Sequence, residues 1–280
     1  MQNPTIAIIG GTSKFWQLWK RYFESRWFQV LIASRSTDLT PEQAVKDAEI
    51  IIVSVSIRAT VKTIESLIPH IPPDKLLLDF TGIKTEATRA LSEYITGEVV
   101  ATHPMFGPWI TSLRDQNIAF DPVRPGEKWE FLYNLWKSDG ANLIELSSRK
   151  HDELVAIVQS TVHIMNLMFG HILSKRGIDI AELMKISTPN SRMQLSILAR
   201  FLNQEAALYT DMQTENTIYK DEILPDIEAY FHTLSSIIQG SRGDEFEHEF
   251  NSVKNYIGPE FLAKALKVSS EFDEHLKKNL

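Results

Sequence analysis

The side chain best placed for chemistry is a histidine in Val99-Val-Ala-Thr-His103-Pro-Met-Phe-Gly107-Pro108, where a short apolar run ends in an imidazole. Open α/β sheets bind ligands outside the carboxyl ends of their strands. Imidazole titrates near neutrality, so His103 is a candidate general base or hydrogen-bond acceptor. The alternative is a structural histidine that caps the strand.

A second candidate lies at the N-terminus. Thr5-Ile-Ala-Ile-Ile-Gly10-Gly11-Thr12-Ser13-Lys14-Phe15-Trp16 reads as a strand, a glycine-rich turn and the start of a helix, the context that a dinucleotide fingerprint requires. Gly10, Gly11, Thr12 and Ser13 are therefore candidates to cradle a pyrophosphate. Against G-x-G-x-x-G, Gly11 holds the first position, Ser13 the second and Trp16 the third. The second glycine lets backbone approach the pyrophosphate and the third lets the helix pack closely on the strand. An indole at position 16 must displace the helix or lie in the cofactor groove, unless the segment is a plain structural turn.

Strand two ends Ile32-Ala-Ser34-Arg35-Ser36, without the acidic residue that would hold a ribose 2′-hydroxyl. Ser34 and Arg35 suit a 2′-phosphate, because a guanidinium grips phosphate in a bidentate way; this favours NADP over NAD. A solvated loop arginine is the other reading. His151-Asp152 places an acid in the first turn of a helix, where the macrodipole favours it, and reads as capping and interdomain packing. No H-x-x-x-H occurs and the remaining histidines share no ligand spacing, so no metal is expected.

These groups need elements to carry them. Up to about residue 146, short runs rich in Ile, Val and Leu alternate with amphipathic stretches: strands at 5–9, 29–33, 50–55, 76–80, 99–102, 118–120 and 143–146, with helices between. Continuous apolar strands separated by helices specify a Rossmann-type, mostly parallel sheet covered on both faces. After Ser147 only helical periods remain, over 151–176, 180–203, 206–239 and 244–278, with breaks at Gly177, Pro189, Pro225, Gly240, Gly243 and Gly258-Pro259. The expected fold class is α/β followed by an all-helical domain, with a dinucleotide-binding domain at 1–147 and a substrate and dimerisation domain at 148–280.

Composition sets the outer limits. A length of 280 residues fits two domains. Net charge is −7 and neither sign forms a block, which disfavours a nucleic-acid partner. Zero cysteine removes disulfides, thiolate metal sites and cysteine nucleophiles and fits a cytoplasmic address. The N-terminus shows no signal peptide, and apolar runs look confined to short strands such as Glu49–Val53, so no membrane association is expected.

The chain resembles the prephenate and arogenate dehydrogenases of tyrosine biosynthesis. The residues that carry the resemblance are HPMFGP at 103–108, Ile8-Ile-Gly-Gly-Thr12, Ile52-Val-Ser-Val55, His151-Asp152, Gln159 with His163, and Thr188-Pro189 followed by Arg200. The resemblance implies a nicotinamide-dependent oxidative decarboxylation. Hydride leaves the ring carbon C4 of prephenate or arogenate, the C1 carboxylate leaves as carbon dioxide, and aromatisation drives the reaction. It implies that neutral His103 receives the proton of the 4-hydroxyl and that His163 contacts substrate. Arg200, eight residues after Arg192 and near one helical face with it, would clamp a substrate carboxylate, and Gln159 would bind substrate. Ser54 and Val55 would line the cofactor groove. A buried helix histidine is the alternative for His163.

The departures from the family are local. Gly82, in Asp79-Phe-Thr-Gly82-Ile-Lys84, stands where the family usually has a serine that orients the catalytic histidine; Thr81 or a water is a possible substitute. Ser56 stands where the family usually has proline. With Ser13 and Trp16 these changes ring one reaction site, which leaves two further readings: a catalytically impaired relative that binds substrate or a tyrosine-like effector, or a dehydrogenase of a related cyclohexadienyl or other small acid. The amphipathic helices 206–239 and 244–278 suggest faces for a homodimer. No chorismate mutase or C-terminal regulatory domain is expected within the chain, so feedback inhibition would act at the substrate site.

Overall fold

The computed structural model describes residues 3–10 and 14–279. Gly11, Thr12 and Ser13, three of the expected phosphate-loop residues, lie outside the described residues. The chain forms two compact units, one of Met1–Ala156 with Thr210–Asn216, the other of Ile157–Tyr209 with Thr217–Leu280.

In the first unit, β1 (Ile6–Ile9), β2 (Val30–Ala33), β3 (Ile50–Val53), β4 (Leu76–Asp79), β5 (Glu98–Pro104), β6 (Asn117–Arg124) and β7 (Asn142–Glu145) make one sheet in the order β2-β1-β3-β4-β5-β6-β7. Every pairing is parallel except β5 with β6. The helices α1 (Lys14–Glu24), α2 (Pro41–Asp47), α3 (Ile57–Leu67), α4 (Thr85–Ser92) and α5 (Glu127–Ser138) supply the crossovers. Between β5 and β6 no helix intervenes, so the chain can only return antiparallel.

Period-two alternation assigns the strand residues to two cores. Ile6 and Ile8 join an aromatic layer with Trp19, Phe23, Phe28, Phe80, Trp129 and Trp136. Ala7 and Ile9 face an aliphatic layer of Ala44, Val45, Ile64, Leu67 and Leu91 on the other side. Strand β6 runs past the expected 118–120 because Pro122, which has no N–H to give, sits at a bulge opposite β5 rather than ending the strand.

The first unit continues beyond 147 through α6 (Ser148–Val155) to Ala156. Ser148 donates to Asp121 through N and Oγ, at 2.6 and 2.7 Å, which fastens α6 to the sheet. Residues 210–216 belong there too: Arg58 pairs with Asp211 at 2.9 Å and Glu215 at 3.0 Å, and Asn216 Nδ2 donates to the Asp152 carbonyl.

The second unit is helical: a π-helical turn begins at Ala156–Thr161, followed by α7 (Val162–Arg176), α8 (Ile180–Lys185), α9 (Pro189–Leu202) and α10 (Ala206–Glu215), the last of which crosses into the first unit. Then come α11 (Leu224–Gln239), α12 (Gly243–Ile257) and α13 (Pro259–Asn279). Thr188 caps α9 with Pro189 behind it, which splits the expected helix 180–203. Arg192 grips Asp273 of α13 through both Nε and Nη2, at 2.9 and 3.0 Å.

Large apolar side chains on α7 and α11–α13 stay exposed, among them Met165, Ile172, Phe231, Phe250, Phe261 and Leu266. The helical run 148–176 also holds a window long and apolar enough, by length and composition alone, to cross a membrane, with 22% of it buried. Reading apolar runs as short strands misses this window because His163, Asn166 and His171 interrupt it.

Candidate active site

The strand order reverses direction between β1 and β3, which makes their carboxyl ends the switch point of the sheet, where α/β folds bind ligands. Gly10 marks it. Its φ is +133°, and a Cβ there would fall 2.0 Å from the Ser54 carbonyl oxygen and 3.2 Å from Val55 Cγ1, so only glycine lets the two strand ends meet. Ser54 donates its N–H to the Ile9 carbonyl, closing the same junction. After β2, Ser34 Oγ accepts from Ser36 N at 3.1 Å and lies 3.0 Å from Ser36 Oγ, leaving Arg35 exposed and without an ion pair among the described residues.

These groups fit a dinucleotide. The glycine junction gives close backbone approach, and the free guanidinium sits where a ribose lies in such folds. Trp16 does not stop α1 from beginning at Lys14; its ring is half-buried against the aromatic layer, with Nε1 buried and unpaired among the described residues. Phe15 packs edge-on to Phe80 and lies beside Phe106 of the 103–108 segment.

His103 lies within β5 rather than beyond its end, paired with Ala119 of β6, because β5 continues through Pro104. It is 8% exposed. Burial, then the neighbouring His151, then the Lys84 ammonium hold its pKa well below the usual histidine value, so it is neutral at physiological pH. Its Nδ1 stands 2.9 Å from His151 Nε2. Its Nε2 faces Gly82, 3.6 Å from where a Cβ on that residue would stand. Thr81 does not stand in for the missing serine: its Oγ1 is buried with no hydrogen bond among the described residues.

A buried ion pair stiffens the floor of this arrangement. Lys84 Nζ donates to Asp79 Oδ2 at 2.5 Å and to the Thr102 carbonyl at 2.6 Å. Thr102 Oγ1 donates to the Asp79 carbonyl, tying β4 to the residue before His103.

His151 and Asp152 do not work as sequence reasoning expects. The cap of α6 is Ser147, and Asp152 instead caps a different helix, accepting Lys84 N and Thr85 N at 2.8 Å and Thr85 Oγ1 at 2.6 Å at the start of α4. His151 is 2% exposed within the first unit, between Asp152 and His103. No spacing rule links residues 103 and 151. Only their common proximity to buried strand and helix ends brings them together.

Within the second unit, His163 of α7 stacks on Phe201 with ring centroids 5.3 Å apart and meets Tyr209 edge-on at 4.5 Å. Burial pushes His163 down to about 4, and its Nδ1 is buried and unpaired among the described residues. Arg200 is exposed on α9, its charge opposing the burial that raises the Tyr209 phenol. Arg192, tied to Asp273, is not equivalent to it. Gln159 lies in the π-helical turn with a buried, unpaired Oε1 among the described residues; such turns recur at functional sites.

A mostly parallel sheet with a glycine-closed switch point, a neutral buried histidine at its carboxyl edge and a following helical unit are the build of a dinucleotide-binding dehydrogenase. Residues 33–145 match the prephenate dehydrogenase nucleotide-binding domain, and residues 147–252 match the prephenate dehydrogenase dimerization domain. The chain is 30% identical over 277 residues to the probable arogenate/prephenate dehydrogenase of Methanocaldococcus jannaschii, covering 92% of this chain and 62% of that protein. It is 30% identical over 256 residues to the T-protein of Haemophilus influenzae, covering 90% of this chain and 67% of the relative. It is also similar in fold to the crystal structure of prephenate dehydrogenase from A. aeolicus in complex with hydroxyphenyl propionate and NAD+, with a TM-score of 0.67 and 15% identity over 91% of this chain and 97% of that one. The chain belongs to the prephenate dehydrogenase family of oxidoreductases.

Proposed function

We propose that this chain oxidatively decarboxylates prephenate or arogenate in tyrosine biosynthesis. The observation that carries the reading is the buried, neutral His103 at the carboxyl edge of a nucleotide-binding sheet, within a chain of this family. A bound nicotinamide supplies the hydride acceptor. His103 receives the proton of the 4-hydroxyl as the ring carbonyl forms, a role that needs the neutral imidazole its surroundings enforce. Gly10, Gly11, Thr12 and Ser13, with Ser34, Arg35, Ser54 and Val55, hold the cofactor, and the exposed Arg35 favours NADP over NAD.

On the helical side His163 contacts the substrate ring region, while Arg200 and Gln159 bind its polar groups; the aromatic trio of His163, Phe201 and Tyr209 suits a cyclohexadienyl ring. The exposed apolar side chains of α7 and α11–α13 suit burial against a second copy, and with the matched dimerization domain they support a homodimer; the absence of cysteine fits a cytoplasmic address.

The test is to supply purified protein with prephenate or arogenate and either nicotinamide and follow absorbance of the reduced cofactor. Steady turnover with release of carbon dioxide is expected. Absence of turnover, with nucleotide titration also silent, refutes the reading.

A further inference from the structure

Burial makes His103 neutral, yet it does not decide which ring nitrogen keeps the proton; the partner of the other nitrogen does that. The partners here form a chain. Asp152 is a carboxylate whose pKa is lowered by hydrogen bonds from His151, Thr85 and the backbone against the opposing effect of burial. It can only accept. His151 Nδ1, 2.9 Å from Asp152 Oδ1, must therefore be its N–H donor, and when His151 carries that one ring proton alone its Nε2 is a lone pair. His103 Nδ1, 2.9 Å from that lone pair, must in turn carry the proton. The acceptor of His103 is then Nε2, the nitrogen on the Gly82 side.

We propose that His151, backed by Asp152, is a positioning residue that fixes His103 in the Nδ1–H form and presents the Nε2 lone pair beside Gly82. The proposal rests on the dehydrogenase reading and deepens it. When the proton of the 4-hydroxyl arrives at Nε2, the imidazolium holds a proton on each nitrogen, and the Nδ1–H bond to His151 Nε2 strengthens with the Asp152 charge one ring away. Lys84, whose ammonium faces the same cluster from the residue before α4, opposes that charge and is itself balanced by Asp79. The arrangement resembles the way a carboxylate orients a catalytic imidazole in acyl transfer, with an extra ring between.

Nitrogen-15 NMR of the imidazole nitrogens, assigned with His103→Asn, tests the tautomer directly: protonated Nδ1 and pyridine-type Nε2 are expected for His103. His151→Leu removes the acceptor while keeping the site filled. Its kcat is expected to fall about 10- to 100-fold, at or below the lower end of the roughly 10²–10⁴-fold that a general base contributes, with KM within about twofold and mixed tautomers at His103. His151→Gln, whose Oε1 can accept the same proton, is expected to recover most of kcat. An Nε2–H tautomer in the wild type, an unchanged kcat in His151→Leu, or a folded His151→Gln as slow as the Leu variant each overturn the proposal. If the Leu variant fails to fold, the wild-type tautomer decides. Wild type without turnover and silent to nucleotide titration refutes the dehydrogenase reading alone, and the NMR result still decides the role of His151.

Discussion

Lys84→Met should be among the most damaging single changes in the first unit. The lysine side chain is 2% exposed and its aspartate partner 0%, so removing the ammonium leaves the Asp79 carboxylate, among the described residues, without a counter-charge and with hydrogen bonds to its side chain from Thr81 N at 2.9 Å and Thr102 N at 3.4 Å alone. Breaking a buried pair from one side costs about 3–5 kcal/mol, against a total of about 5–15 kcal/mol for a folded domain. Urea unfolding followed by tryptophan fluorescence isolates the unit, because all six tryptophans, at 16, 19, 27, 109, 129 and 136, lie within it. The double variant Asp79→Leu/Lys84→Met leaves no orphaned charge and should lose less than Lys84→Met alone. The reasoning fails if Lys84→Met costs under about 1 kcal/mol, the value of an exposed pair, or if the double variant costs the sum of the singles.

Gly10→Ala should weaken nicotinamide binding by at least about tenfold and destabilise the first unit by about 2 kcal/mol or more, since the methyl meets the Ser54 carbonyl at 2.0 Å in a positive-φ conformation; nucleotide titration reads it, and unchanged affinity counts against the switch-point site. Arg35→Ala should weaken NADP about 10- to 100-fold while NAD changes little, as expected for lost charge-assisted hydrogen bonds to a 2′-phosphate; equal effects on both nucleotides remove that role. The acid limb of kcat/KM should lie well below pH 6.5, because burial keeps His103 neutral there, and a limb at or above 6.5 contradicts its assignment. Stability should behave consistently. His163 has a folded pKa of about 4, the unfolded chain takes its proton near about 6.5, and stability is therefore full above 6.5 and lost as pH falls from there towards 4; a melting temperature flat across that window argues against a buried His163.

The sequence by itself determined the order of strands and helices, because apolar runs of period two and stripes of period 3.6 are local properties of the chain, and Gly and Pro punctuate them. It also singled out His103 as a candidate, since position near the end of a strand is legible from one segment. Three features were not local. The strand β6 continues through Pro122 because a bulge against β5 removes the need for its missing N–H. The boundary of the first unit lies beyond α6 because Ser148 and Asp152 are hydrogen-bonded to Asp121 and the start of α4, far away in sequence. His151 reads as a helix-start residue, yet tertiary folding alone sets its Nε2 2.9 Å from His103. A hydrogen bond between residues 48 apart leaves no periodic trace; it exists because two buried polar groups, excluded from water, must satisfy each other.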